Sequence, residues 1–226
     1  MLLHIDSSAD TTADSVTRRL TADFAREWRA LHGAADYRHR DLTATPVPPL
    51  TGAYARLGRR VEREGFVPPA KVAALIESPA EAREWELTLP LTTELAAAGT
   101  VVLGVPMYNF SVPAALKAWI DRVTFPGAFA HPDTGESLLA DARLVAVLAR
   151  GGAYGPDTGR AALDFQLPYL KAWTARLGVR PEHFHPVAAE LTRVDVLPLP
   201  AGQEETAAAS LATARAELSR LVAAVG

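Results

Sequence analysis

Two near-continuous apolar runs, "TVVLGV" (100–105) and "RLVAVLA" (143–149), constrain this chain more than any other feature. A strand with one face in water alternates apolar and polar residues; a run without alternation needs cover on both faces. That requirement selects a parallel sheet held between two layers of helices. "LLHI" (2–5) and, more weakly, "VRPEHFHPV" (179–187) read as further strands, while "ADYRHRDL" (35–42) alternates and suits a more exposed strand. Helical patterning lies between them. Val16, Leu20, Phe24, Trp28 and Leu31 form an apolar stripe over 15–32, and segments 113–123, roughly 158–177 and 203–224 follow the same logic. Ser78-Pro79-Ala80-Glu81 is a capping sequence for a helix over 79–98, which Pro90 either kinks or divides. "TATPVPPLTG" (43–52) reads as a proline-fixed loop. Strand–helix alternation from end to end predicts one doubly wound α/β domain over 1–226.

Composition narrows the chemistry. With 23 basic and 26 acidic residues, the formal net charge is −3, which argues against nucleic acid or an anionic membrane as a partner. The absence of cysteine excludes disulfides, thiolate nucleophiles and Cys-ligated metal or iron–sulfur centres. The opening "MLLHID" is strand-like and predicts no secretory signal, and no apolar stretch approaches the roughly 20 residues of a membrane span. A cytoplasmic protein is the expectation. There is no GxGxxG, GxxxxGK[ST] or GxSxG, so the dinucleotide, P-loop and serine-hydrolase readings lack their signatures.

In open parallel sheets, ligands bind beyond the carboxyl ends of the strands, and three such ends are unusual here. After "LLHI" come Asp6-Ser7-Ser8 and a polar loop reaching Ser15-Val16-Thr17, where hydroxyls and free amides at a helix start can form an anion site or merely cap the helix. After "TVVLGV" come Pro106, Met107, Tyr108, Asn109 and Phe110, which offer flat apolar contacts and amide donors to a planar heterocycle, or else plug the core. After "RLVAVLA" come Arg150, Gly151 and Gly152; paired glycines let backbone lie against a flat ligand, or make a tight turn. Together they supply a phosphate site, a ring-binding loop and a close-approach loop, as a mononucleotide requires.

"PMYNFSVPAALKAWIDRV" (106–123), supported by "RDL" (40–42), "RGG" (150–152) and "PYLKAWTARLGV" (168–179), resembles the flavodoxin-like FMN-dependent NADH-azoreductases, also called FMN-dependent NADH:quinone oxidoreductases. The resemblance covers nearly the whole chain and is weakest over 50–90 and after 190. It implies a flavodoxin-like five-stranded parallel sheet with helices on both faces, FMN as cofactor and NADH or NADPH as co-substrate. It also implies two-electron, ping-pong reduction of a quinone or azo compound. By position, Ser7, Ser15, Val16 and Thr17 fall on the family's phosphate contacts, Pro106 to Phe110 on its ring-contacting loop, and Ala149 to Gly152 on its second flavin loop. Tyr154 lies where many relatives carry His. Trp173 matches an aromatic that reaches the partner's site in the family's homodimer. Ala149 replaces a frequent Ser or Thr, and "TFPGAFAHPDTGE" (124–136) departs from the family's commonest substrate-side loop.

Other readings compete. A non-catalytic flavodoxin-type electron carrier shares the fold, but carriers tend to be shorter and markedly acidic. His183 and His185, two apart on an expected strand, could bind a metal yet lack a third ligand nearby. Arg59-Arg60 sits in a mixed-charge run that reads as a solvated face, or as a contact for the nicotinamide cofactor's phosphates. The expected helix over 158–177 carries Phe165, Leu167, Tyr169, Leu170, Trp173 and Leu177, more apolar surface than one sheet contact requires, which points to a homodimer interface.

Overall fold

The computed structural model describes residues 1–65, 67–131, 133–193 and 202–225. The apolar runs form the centre of a five-stranded parallel sheet. In chain order its strands are β1 (Leu2–Asp6), β2 (Tyr37–Asp41), β3 (Thr100–Pro106), β4 (Arg143–Ala149) and β5 (Phe184–Ala189), arranged β2-β1-β3-β4-β5. β3 and β4 pair residue for residue from Thr100↔Arg143 to Pro106↔Ala149, so both strands end level with each other.

Helices cover both faces. α1 (Val16–His32) and α7 (Gln203–Ala224) bury Leu20, Phe24, Trp28, Leu218 and Leu221 with Leu2, Val102, Val145 and Val147 of the sheet. On the other face lie α2 (Gly52–Arg63), the short α3 (Pro69–Val72), α4 (Pro79–Ala96), α5 (Ala114–Val123) and α6 (Gln166–Arg176). They enclose Leu57, Trp85, Trp119 and Leu170 against Leu3, Ile5, Leu103 and Val105. The alternation Leu2/Leu3 and Val102/Leu103 between the two cores is the period-two geometry of a strand buried on both sides.

Several boundaries differ from the patterning. β5 starts at Phe184 instead of 179, because Pro181 opens a short 3₁₀ turn, Pro181–His183, ahead of it. α6 starts at Gln166 instead of near 158. Asp164 supplies its cap: Oδ1 accepts from the Gln166 and Leu167 amides at 2.9 and 3.1 Å. α4 is one helix despite Pro90; Pro90 and Glu86, whose carbonyl loses its helical partner, are both on the exposed face, where water can serve. α2 was not marked by the patterning at all. Its cap, Thr51, closes the stretch read as loop.

Close approach fixes α1 on the sheet. A Cβ at Gly104, inside β3, would lie 2.9 Å from Asp6 Oδ1 and 3.2 Å from Thr21 Cγ2. The other helical layer is locked by a buried cation. Arg122 of α5 is fully buried and donates to Glu84 Oε2 at 2.8 Å, to Thr88 Oγ1 at 3.2 Å and to the Pro48 carbonyl at 3.0 Å. Glu84 Oε1 accepts from Thr51 at 2.7 Å, so one ion pair joins α4, α5 and the loop into α2. Removing one partner strands the other charge. Glu84→Ala is therefore expected to cost about 3–5 kcal/mol in denaturant unfolding, and replacing Glu84 and Arg122 together by methionine is expected to recover most of that loss.

Candidate active site

The tips of β1, β3 and β4 lie side by side, and their loops define the site. At β1, Ser7 Oγ donates to the Gly104 carbonyl at 2.6 Å, which binds the tip of β1 to β3 and spends the hydroxyl proton. Ser15 is the N-cap residue of α1 by backbone conformation, yet its side chain makes no capping hydrogen bond. Its buried Oγ lies 3.4 Å from Thr17 Oγ1 instead. No acidic side chain occupies the first turn of α1. Ordinary capping is thus not what this serine does: two hydroxyls and the first-turn amides, including Val16, are left for an anion at the positive end of the helix.

The loop leading to that helix is held chiefly by Arg18, which sequence reasoning did not single out. Arg18 donates from Nε to the Asp10 carbonyl at 2.9 Å and from Nη2 to the Ser8 carbonyl at 2.9 Å. The same guanidinium makes a two-point pair with Asp41 at 2.7 and 2.9 Å, and this holds the Asp41 carboxyl below the usual range. Tyr108 crosses from the neighbouring loop, its hydroxyl accepting from the Ala9 amide at 3.1 Å. Asp41 belongs to "RDL", but nothing in the sequence pairs it with Arg18.

At β3, Pro106 ends the strand and Tyr108 and Ser111 exchange backbone hydrogen bonds of 3.0 and 3.1 Å. Asn109 and Phe110 between them have φ of 48° and 71°. Two successive left-handed residues make a primed hairpin turn, where Asn-Gly is the favoured pair. Asn tolerates that conformation; Phe does so only at a cost. Tyr108 is 37% exposed and Phe110 43% exposed, so the aromatics do not plug the core. The Met107 amide donates to the Ala149 carbonyl at 2.8 Å, tying this loop to the next.

At β4, the Arg150 side chain is buried and turned into the protein. It donates to Gln166 Oε1 at 3.2 Å, to Glu190 Oε1 at 3.1 Å and to Asp164 Oδ2 at 2.7 Å. Gln166 passes the network on, donating to the Val105 carbonyl at 2.9 Å. Arg150 therefore braces the loop, and its backbone is committed as well, the amide donating to the Ala189 carbonyl and the carbonyl accepting from the Thr192 amide, each at 2.9 Å. Glu190 also accepts from the Tyr154 amide at 2.9 Å, and the Tyr154 ring stands edge-on to Phe110 at 6.5 Å.

Met107, Asn109, Phe110, Gly151, Gly152 and Tyr154 surround a cavity of about 270 Å³. Arg160 and Arg193 complete its wall, and neither was foreseen. A Cβ on Gly151 would lie 2.9 Å from Arg193 Cδ, and one on Gly152 would lie 2.6 Å from Arg160 Nη1. Flat backbone faced by two cations suits a planar ring that takes up negative charge. Trp173 does not line this cavity. That side chain is 5% exposed, stands edge-on to Trp119 at 5.7 Å and donates to Thr124 Oγ1 at 3.1 Å. With Tyr54, Lys117 and Tyr169 it lines a separate cavity of about 600 Å³. Leu170 and Leu177 are likewise core, which leaves Phe165 as the exposed residue of that apolar set, with Leu167 and Tyr169 half-buried. Arg60 is committed to Glu77 and Glu81, which removes it as a cofactor contact.

The sheet order and these tips define a flavodoxin-like protein, and the family model described as "Flavodoxin-like fold" matches residues 1–218. The chain is 42% identical over 174 residues to the FMN-dependent NADH:quinone oxidoreductase of Nocardia farcinica, covering 77% of this chain and 76% of that one. It is also 42% identical to FMN-dependent NADH:quinone oxidoreductase 2 of Xanthomonas euvesicatoria pv. vesicatoria, over 100% of this chain and 94% of the relative. The FMN complex of an FMN-dependent NADH-azoreductase from Bacillus anthracis superposes with a TM-score of 0.74 at 20% identity, covering 98% and 99% of the two chains, and shares the fold. The chain belongs to the FMN-dependent NADH:quinone oxidoreductase family.

Two stability measurements test this local picture. Because Ser15 caps nothing, Ser15→Ala is expected to change the unfolding free energy of the flavin-free protein by less than about 0.5 kcal/mol, where a capping serine loses about 1 kcal/mol. Phe110→Gly is expected to stabilise the same form by about 1 kcal/mol, by releasing the left-handed strain.

Proposed function

We propose that this chain is an FMN-dependent NADH oxidoreductase that reduces quinones and azo compounds. The observation that carries the reading is the placement, on adjacent strand tips, of an uncapped helix start lined with hydroxyls and a glycine-floored cavity rimmed by Met107, Phe110 and Tyr154. The first suits the phosphate of FMN and the second its ring. When bound, FMN supplies the two-electron chemistry between NADH and the acceptor.

The chain's own residues bind, orient and tune. Ser15 and Thr17 hydroxyls, with the amides of Val16 and its neighbours, hold the phosphate; Ser7 keeps β1 in place beneath them. Pro106 and the bonded Met107 amide set the height of the ring loop. The strained turn would offer the Asn109 and Phe110 amides and the Phe110 side chain to the flavin ring. Ala149 and the braced Arg150 hold in place Gly151 and Gly152, whose backbone would lie beside the flavin. Arg160 and Arg193 place positive charge beside a ring that gains electrons. Tyr154, anchored through its amide to Glu190, offers a hydroxyl for the same charge.

The homodimer belongs to this proposal. Leu163 is 40% and Phe165 58% exposed, and the Phe165 amide donates to the Phe110 carbonyl at 3.0 Å, so apolar surface continues outward from the cavity rim. A second copy covering it would shield the ring from water. Among the described residues no helix is long and apolar enough to cross a membrane. We read residues 1–226 as one FMN-binding domain acting in the cytoplasm.

Reconstituted protein is expected to carry a visible flavin spectrum, to release FMN and not FAD in acid, and to oxidise NADH steadily with a quinone present. Bound FMN without turnover would favour the electron carrier. Thr17→Ala is expected to weaken FMN binding by about 1–2 kcal/mol, measured by fluorescence titration. Phe165→Asp is expected to convert a dimer into a monomer by light scattering and to lower turnover; full activity in a monomer would remove the shared-surface part of the proposal.

A further inference from the structure

His4, Asp6 and His39 line no part of the strand-tip cavity, and the FMN reading does not use their side chains. Parallel pairing sets His4 of β1 opposite His39 of β2, and Asp6 follows two residues on, facing the same way. One ligand atom from each lies within 4.8 Å of the others. His39 Nε2 is 3.0 Å and His4 Nε2 is 3.3 Å from the same oxygen, Asp6 Oδ2. Four-coordinate zinc, with bonds of about 2.0–2.1 Å, separates its ligand atoms by about 3.3 Å.

The surroundings prepare these atoms. Asp6 Oδ1 accepts from Thr21 Oγ1 at 2.9 Å, while Oδ2 shares a hydrogen bond of 3.0 Å with His39 Nε2 that a bound cation would replace. His4 Nδ1 lies 2.9 Å from the Tyr37 hydroxyl, and a hydrogen bond there orients the ring. His4 is 3% exposed, yet its Nε2 has no hydrogen-bond partner among the described residues. A buried ring nitrogen aimed at a carboxylate without a hydrogen bond is a group awaiting a ligand. The His39 side chain is 41% exposed, giving an ion access and water a fourth position. The opposing group is Arg18, whose Nη1 lies 3.8 Å from Asp6 Oδ2, but its two-point pair with Asp41 offsets that charge.

We propose that His4, Asp6 and His39 bind a zinc-class divalent cation that clips edge strand β2 to β1. Two imidazoles with one carboxylate favour zinc and its first-row neighbours over magnesium or calcium, which prefer all-oxygen sites.

The test uses FMN-loaded protein stripped with EDTA, dialysed and titrated with Zn²⁺ against a chromophoric chelator. One equivalent per chain is expected to bind at micromolar or lower free zinc and to raise the melting temperature by linkage, with no effect of Mg²⁺. His39→Ala, at an accessible position, is expected to retain its FMN, to weaken zinc binding at least about tenfold and to abolish the melting shift. His183→Ala is expected to change neither. Substoichiometric binding to the parent protein, or unchanged zinc affinity in His39→Ala, would overturn the site and leave the cluster a proton-sharing group.

Discussion

The register between β3 and β4 is the constraint on which the rest of the site depends. Because Thr100↔Arg143 runs without a bulge to Pro106↔Ala149, the two loops that follow leave the sheet at the same height. The Met107 amide then adds one more bond across the gap, to Ala149. A slip of one residue would invert every side chain on a strand and exchange the two cores, so apolar burial on both faces polices the geometry of the loops. Hydrophobic packing below therefore sets the polar chemistry above.

Around that frame, the polar interactions fall into two kinds. Some groups are spent on the protein: the Ser7 hydroxyl on Gly104, the Arg150 guanidinium on Gln166, Glu190 and Asp164, and Arg18 on Asp41 and the Ser8 loop. Others lack such commitments, notably Ser15 in its capping position. The spent groups hold the second set still. Preorganisation of this sort removes ordering costs that binding would otherwise bear.

Much of this was legible in the sequence. The unalternating runs identified β3 and β4, the stripe from Val16 to Trp28 identified α1, and residues 203–224 coincide with α7. The loop after β3 and the paired glycines after β4 stood out because strand ends carrying Asn, aromatics or Gly-Gly are chemically conspicuous. What escaped depended on long-range pairing. Arg150 looked like a ligand contact because its partners, Asp164 and Glu190, lie 14 and 40 residues away. Trp173 looked like surface because its neighbour Trp119 sits on a different helix. His4 and His39 are brought together by strand order, which periodicity along one segment does not encode. α2 went unmarked because its apolar positions are diluted by six arginines and glutamates in "RLGRRVERE" after Tyr54, although Tyr54, Leu57 and Val61 do reach the core.

Gly104 has an effect that reaches beyond its own packing. With no side chain there, α1 settles until Asp6 and the methyl of Thr21 occupy the space a Cβ would need, and Thr17 comes within 3.5 Å of it. The start of α1 carries Ser15 and Thr17, whereas the cavity rim follows β3 and β4. An alanine at 104 would press its methyl to 2.9 Å from Asp6 Oδ1 and 3.2 Å from Thr21 Cγ2, so the Asp6 carboxylate or α1 must shift. The missing methyl group thus sets how closely α1 lies on the sheet, and with it the height of Thr17 above the strand tips.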